Sequence, residues 1–476
     1  MININEASYS YKRSLEEQLK KISIKINQGE VILLCGKSGS GKTTITKLIN
    51  GLIPHFLEGN LLGNIFINGI NTKQMKIYEI SEKVGTIFQN PKTQFFNLDS
   101  DSELTFGLEN LGKNPDKIKR QVFKVVRDLG IERLKNRNVF MMSGGEKQLL
   151  AIASIYATNP DVYVFDEPSA NIDEYGIERI REMLINLKAQ GKTIIISEHR
   201  LYYLMDLIDR AIYLQDGKIE YVFSNVEFSS ITDESRKKLG LRTFVRKKND
   251  DFANPVTFCE SDDFVVSNLE YENKKQKILD KINISGNKGD IIAITGKNGQ
   301  GKTTLMRILC GLLKENEGKI SYKGSPIKYK KRRKLCYMVM QDVIHQFFSE
   351  SVRDEFSLFD SKIDEKQIDN ILEKLDLKKL DLKKLDNRHP MCLSGGQMQR
   401  LSVALGMLMD REIIILDEPT SGLDYTNMLE ISKVIKEFSN NKIIFIVTHD
   451  NELIDSTCNK LLEICDGRIK RFYERR

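Results

Sequence analysis

An α/β fold written twice along one chain is what the sequence predicts. Three observations carry this reading. First, four short stretches recur in the same order about 250–260 residues later. "GKSGSGKTT" from Gly36 returns as "GKNGQGKTT" from Gly296, and "SGGEKQ" from Ser143 as "SGGQMQ" from Ser394. "FDEPS" at Asp166 returns as "LDEPT" at Asp417, and "IIISEH" ending at His199 as "IFIVTH" ending at His449. Repetition at a near-constant offset means two copies of one domain. Second, β-branched runs such as "GEVILLCG" and "NKIIFIV" alternate with amphipathic stretches such as "GIERIREMLINLKA". That alternation predicts a mostly parallel sheet with flanking helices. Third, each copy has a glycine loop between an apolar strand and a helix, the setting of a phosphate-binding loop.

The copies span residues 1–228 and 263–476, with 229–262 between them as a connector. Its stretch "SSITDESRKKLGLRTFVRKKNDDFANPV" is charged, carries Gly240 and Pro255, and has few periodic apolar residues. The whole is an ordinary globular composition, 40% hydrophobic and 29% charged, with a formal charge of +7 that is diagnostic of no partner. No run approaches the roughly 18 apolar residues of a membrane span. The N-terminal "MININEASYSYKRS" lacks the apolar core of a signal peptide, so a cytosolic chain is expected. The seven cysteines contain no C-x-x-C pair, which argues against a zinc or iron–sulfur site and for reduced thiols.

Each glycine loop fits G-x-x-x-x-G-K-[ST]. In the first copy it comprises Gly36, Lys37, Ser38, Gly39, Ser40, Gly41, Lys42, Thr43 and Thr44. In the second it comprises Gly296, Lys297, Asn298, Gly299, Gln300, Gly301, Lys302, Thr303 and Thr304. Backbone N–H groups turned inward, with the positive end of the next helix, suit phosphate oxygens. Lys42 and Lys302 then reach the β/γ-phosphates of ATP, and the Thr43 and Thr303 hydroxyls bind Mg²⁺. Asp166 and Asp417 end apolar strands and are expected to hold the Mg²⁺ through water. Glu167 and Glu418, one residue on, are placed to polarise an attacking water.

With "SGGEKQ" and "SGGQMQR" about twenty residues before the acid pairs, both halves resemble the ATP-binding cassette (ABC) ATPases. The resemblance implies that Ser143, Gly144, Gly145, Ser394, Gly395 and Gly396 open helices gripping the γ-phosphate bound by the other domain. A serine cap followed by glycines at a helix start is independently an anion site. The resemblance also makes His199 and His449 the switch histidines, and Gln89 and Gln341 the glutamines that touch Mg²⁺ and the attacking water. Tyr11 and Tyr271 stand where the family has an aromatic on adenine, although strand tyrosines are equally often fillers. A head-to-tail sandwich follows, formed within one chain, with the Lys42 loop facing the Ser394 signature and the Lys302 loop facing Ser143. The key residues are present in both copies, so two hydrolysis-competent sites are expected. Smaller differences leave unequal turnover open: "SANID" against "SGLD", and Leu149 against Arg400.

"QNPKTQFF" from Gln89 and "QDVIHQFF" from Gln341 share a glutamine, four variable residues, and Gln-Phe-Phe. In ABC importers this segment borders the groove that receives a coupling helix. Gln94, Phe95, Phe96, Gln346, Phe347 and Phe348 are therefore candidate partner-coupling residues, the aromatics docking and the Gln and nearby acids orienting a basic helix. Burial of one or both aromatics in the helical subdomain is the alternative. The first copy's "FQNPKTQFFNLDSDSELTFGLENLG" and "SEHRLYYLMDLIDRAIYLQDG" resemble the ATPases of energy-coupling factor (ECF) transporters, which take up vitamins and metal ions. The second copy lacks Asn-Pro but keeps the acidic Asp354–Glu355. The expectation is a peripheral ATPase on the cytoplasmic face of the membrane, partnered by a multi-spanning transport subunit and a substrate-binding membrane subunit. Another ABC transporter class, or a tandem ABC protein acting on ribosomes or nucleic acid, is the alternative. No nucleic acid is expected as partner: the basic "KYKKRRK" at Lys328–Lys334 reads as a solvated face, with a lipid-headgroup contact left open.

Overall fold

The computed structural model describes residues 1–12, 17–170, 172–274, 276–359, 363–375 and 389–476. It divides into two compact units, Met1–Arg246 and Lys247–Arg476. Asn171, in the "SANID" stretch compared above, lies outside the described residues.

Each unit is built on a largely parallel sheet. In the first, the strands run in space Lys218–Ser224, Arg210–Gln215, Val31–Gly36, Thr193–Ser197, Val162–Asp166 and Val84–Ile87. Every neighbouring pair is parallel except the first. The second unit repeats this order and adds the edge strand Phe252–Pro255. All residues of "VILLCG" and "IIILD" are buried, because helices cover one face while the antiparallel sheet and the helix after the glycine loop cover the other, leaving no position for an alternating polar residue. The loops that follow the carboxyl ends of these strands form the region where ligands bind in open α/β sheets.

A second, antiparallel sheet in each unit goes beyond the single sheet expected from the apolar runs. In the first unit it is ordered Leu19–Ile26, Ile2–Tyr11, Gly59–Ile67, Ile70–Asn71. Its signature is different: "LKKISIKI" buries alternate residues, with one face on the core and one on solvent. A helical subdomain follows the Gln-Phe-Phe loop, with helices Ser100–Asn110, Pro115–Leu129 and Gly144–Thr158 in the first unit. Asn114 caps the second of these ahead of Pro115, and Gly130 ends it at φ 58. Val352–Phe359, Glu365–Lys374 and Gly395–Leu408 are the second unit's counterparts.

Residues 229–262 are shared between the units. Leu241 is buried in the first core beside Phe228, whose ring lies tilted with its centroid 4.8 Å from that of Phe244. Asp233–Lys238 forms a helix capped by Thr232. Phe252–Pro255 pairs antiparallel with Arg468–Arg475 instead. The apolar anchors are too widely spaced for a periodic signal. In the basic run, Arg332 is buried and paired with Glu315, while Lys328, Lys330, Lys331, Arg333 and Lys334 are exposed. Among the described residues no helix is long and apolar enough to cross a membrane.

Candidate functional site

The two glycine loops have matching geometry. Gly36 and Gly296 sit at φ 137 and 135, where a Cβ would lie 2.2 Å from the carbonyl oxygens of Leu214 and Ile464. No side chain fits there, so the strand can turn tightly into the loop. Gly41 and Gly301, at φ 105 and 94, precede helices Lys42–Ile49 and Lys302–Leu309. The mouth is open: a Cβ on Gly39 or Gly299 would meet nothing within 4 Å. The Lys42 ammonium donates to the Gly36 and Lys37 carbonyls at 3.0 and 2.9 Å, and Lys302 makes the same pair of bonds to Gly296 and Lys297. Among the described residues the buried Ser40 hydroxyl has no hydrogen-bond partner. Thr43 Oγ1 donates to Asp166 Oδ1 at 3.2 Å, bringing together a hydroxyl and a carboxylate of the kind that Mg²⁺ prefers. These features fit a nucleotide polyphosphate with its cation. Tyr11 lies beside the first loop, its hydroxyl 3.4 Å from Thr44 Oγ1, and Tyr271 is half-buried on the equivalent strand.

The acid pairs end the strands Val162–Asp166 and Ile413–Asp417. Glu167 and Glu418 have φ 50 and 49, a left-handed backbone uncommon for a non-glycine residue and concentrated at functional sites. In both units the turn is fastened by the glutamate's own N–H, which donates 2.8 Å to Ser197 or Val447. Gln89 Nε2 donates to Glu167 Oε2 at 2.7 Å, and His199 Nε2 lies 3.7 Å from Oε1. In the second unit Thr448 Oγ1 donates to Glu418 Oε2 at 3.1 Å and His449 Nε2 lies 3.9 Å from Oε1. Gln341 is exposed just past strand Cys336–Val339. Burial pushes the Glu167 carboxyl up to about 8; Asp166 and Glu198 add to this, while Lys42 opposes it. Burial likewise raises Asp166, and raises Asp417 to about 6 against the pull of Lys302. A bound divalent cation reverses this logic by favouring the charged carboxylates.

Ser143 and Ser394 are helix N-caps with a reciprocal box. The N–H of Glu146 donates to Ser143 Oγ and that of Gln397 to Ser394 Oγ, while each serine N–H donates back to the Glu146 or Gln397 side chain. The Glu146 carboxylate is further held by Arg137 at 2.6 Å. The glycines Gly144, Gly145, Gly395 and Gly396 form the first turns.

The Gln-Phe-Phe residues separate into two roles. Gln94 is buried, accepting from the Phe88 N–H and donating to the Ala151 carbonyl, both at 3.3 Å. Gln346 accepts from the Met340 N–H at 2.9 Å and donates to the Met338 carbonyl at 2.7 Å. Gln94 thereby ties its loop to helix Gly144–Thr158, and Gln346 closes its loop back onto strand Cys336–Val339 and the residue after it. Phe347 is buried and Phe95 half-buried in the cores, whereas Phe96 and Phe348 are 76% and 73% exposed. Only the second aromatic of each pair is therefore available at the surface. The acids also turn inward: Glu103 accepts from the Phe96 and Asn97 N–H groups at 3.1 and 2.9 Å, and Glu355 from those of Phe348 and Ser349. Sequence reasoning missed this role, although the equal seven-residue spacing from Phe96 to Glu103 and from Phe348 to Glu355 carried the signal. Phe96, stacked 5.0 Å on Phe106, lines a groove of about 470 Å³ with Leu52, Ile77, Phe88 and Ile155.

A phosphate loop, a strand-end acid pair, a histidine beside the glutamate and a serine-capped helix, present in both units, define a tandem P-loop ATPase. Residues 19–170 and 279–421 match the family described as ABC transporter. A Treponema denticola protein assigned as an ABC transporter ATP-binding protein is 45% identical over 98% of this chain and 96% of its own length. A second from the same organism is 37% identical over 100% and 97%. The chain therefore belongs to the ABC transporter ATP-binding family, whose domains bind ATP with Mg²⁺ and hydrolyse it. In fold it also matches the archaeal ribosome recycling factor aABCE1, solved with the ribosomal stalk protein aP1. The TM-score is 0.65 at 23% identity, covering 98% of this chain and 90% of that one.

Proposed function

We propose that this chain is the ATPase of an ECF-type membrane importer for a vitamin or metal ion, bound peripherally at the cytoplasmic face. The observation that carries the reading is a loop with two ends. Gln89 touches the catalytic Glu167, and a few residues later Phe96 stands exposed in the 470 Å³ apolar groove. A short amphipathic helix of a multi-spanning membrane subunit seats in that groove, and its movement is felt at Glu167 through the loop. A separate membrane subunit supplies cargo recognition. Both units carry the full set of groups for hydrolysis, and both sites turn over.

In each site Lys42 or Lys302 steadies the β/γ-phosphates. Thr43 with Asp166, or Thr303 with Asp417, holds the Mg²⁺, which neutralises phosphate charge when bound. Glu167 or Glu418 orients the attacking water, helped by Gln89 or Gln341 and by His199 or His449.

Native fractionation and mass spectrometry of what co-purifies test the reading. Recovery in membranes with a multi-spanning subunit supports it; recovery with ribosomes refutes it. Phe96→Ser deletes a well-exposed ring, so folding and ATP binding should persist while the subunit is lost. A buried Phe contributes about 1.5–3 kcal/mol, or roughly 10–150-fold in Kd.

A further inference from the structure

The switch histidines of the two units end up in the same place, 3.7 and 3.9 Å from their catalytic glutamates, yet they are held by different residues. In the second unit the acid follows the histidine. Asp450 Oδ2 accepts from Thr420 Oγ1 at 2.7 Å, and its N–H donates to Thr448 Oγ1 at 3.0 Å. Oδ1 accepts the N–H groups of Glu452 and Leu453, capping helix Asn451–Thr457. In the first unit Arg200 occupies that position, and the acid precedes the histidine. Glu198, 3% exposed, accepts the His199 and Arg200 N–H groups on Oε1 at 2.7 and 3.0 Å. Its Oε2 accepts the Ser169 N–H at 3.2 Å and the Tyr203 hydroxyl at 2.8 Å.

Ser169 and Thr420 are the same position, two residues beyond the catalytic glutamate. Each unit thus ties its histidine loop to the segment behind that glutamate through one buried carboxylate. The surroundings have changed to suit. Tyr203, which satisfies Glu198, aligns with the apolar Leu453. Residues 202–207, with no acid at position 200 to cap them, form turns where the second unit has a helix. A glutamate at 198 also removes the hydroxyl that Thr448 donates to Glu418, and in the first unit Gln89 supplies that hydrogen bond.

We infer that Glu198 and Asp450 are the positioning residues of the two switch histidines, equivalent in role though contributed from opposite sides. A carboxylate that accepts four hydrogen bonds, as Glu198 does, or three, as Asp450 does, fixes the loop more firmly than neutral groups would, and the geometry of a histidine beside the γ-phosphate is worth preserving by either route.

Steady-state MgATP hydrolysis by the full chain tests this. Glu198→Thr should lower kcat by up to about twofold, the share of one of two working sites, with little change in KM, because the histidine is misplaced and binding groups are untouched. Transplanting the second unit's arrangement, E198T with R200D and Y203L, should restore kcat to near wild type. In a His199→Ala background Glu198→Thr should add almost nothing, whereas a merely structural residue would add its full effect. An unchanged kcat for E198T, a transplant that folds without recovering, or losses that multiply with H199A would each overturn the inference. If E198T does not fold, Tyr203→Phe reads the same contact by removing one hydroxyl. A lowered kcat that vanishes in the H199A background supports the role, and an unchanged kcat overturns it.

Discussion

Phe347 and Phe348 are neighbours in sequence, and their exposures of 6% and 73% predict opposite outcomes for one substitution. Phe347 lies in the second unit's core cluster with Val343, Val352 and Phe356. Phe347→Ala removes a buried ring and leaves a cavity, a change worth about 3–5 kcal/mol. Domains hold only about 5–15 kcal/mol in all, so a large part of the second unit's stability goes. At roughly 2–4 °C per kcal/mol for a unit this size, its Tm falls by on the order of 10 °C. Phe348→Ala lifts an exposed ring from solvent and stays within about 0.5 kcal/mol. The chain contains no tryptophan, so one placed at half-buried Tyr473 reports the second unit alone and one at exposed Tyr221 reports the first. Melting curves of both variants against the parent decide the matter. Equal Tm losses for the two, or an unmoved Tm for Phe347→Ala, would refute the division of the pair into a core residue and a surface residue.

Glu167→Gln and Glu418→Gln, made separately, should each cut ATP turnover at least about tenfold or to the other site's residual rate, with ATP still bound. Unchanged ATPase in either variant would show that site to be silent. The raised Glu167 and Asp417 carboxyls give a pH dependence whose sign is fixed. Their folded pKa values, about 8 and about 6, exceed the unfolded ones, so the nucleotide-free fold binds more protons and its stability falls as pH rises from about 4 through 8. Denaturant titrations at pH 6 and 8 should find this slope weakened in Glu167→Gln; an identical slope would contradict the assignment. Glu355→Ala should leave two N–H groups without their acceptor and destabilise the Gln-Phe-Phe loop by about 1–3 kcal/mol, read as faster amide exchange at Phe348 and Ser349.

The parts of the site that were legible in sequence are those in which chemistry and backbone are contiguous. A glycine loop between a strand and a helix, or an acid pair at a strand end, states its own geometry. What was not legible depends on packing between distant segments. "QFF" carries no mark of which ring faces the core, because the answer lies in helices such as Ser100–Asn110 and Val352–Phe359 that arrive later in the chain. The antiparallel sheets were hidden behind the stronger signal of the fully buried strands, although "LKKISIKI" alternates openly. The relocated acid beside His199 was readable by laying "SEHR" over "VTHD", but its meaning required the bonds to Ser169 and Tyr203.

The most direct measurement is ATP turnover by the purified chain with and without the membrane subunit that co-purifies with it, in wild type and in Phe96→Ser. The account predicts that the subunit changes the wild-type rate and that Phe96→Ser abolishes this response while keeping the basal rate. An equal response in both proteins, or none in the wild type, would contradict it.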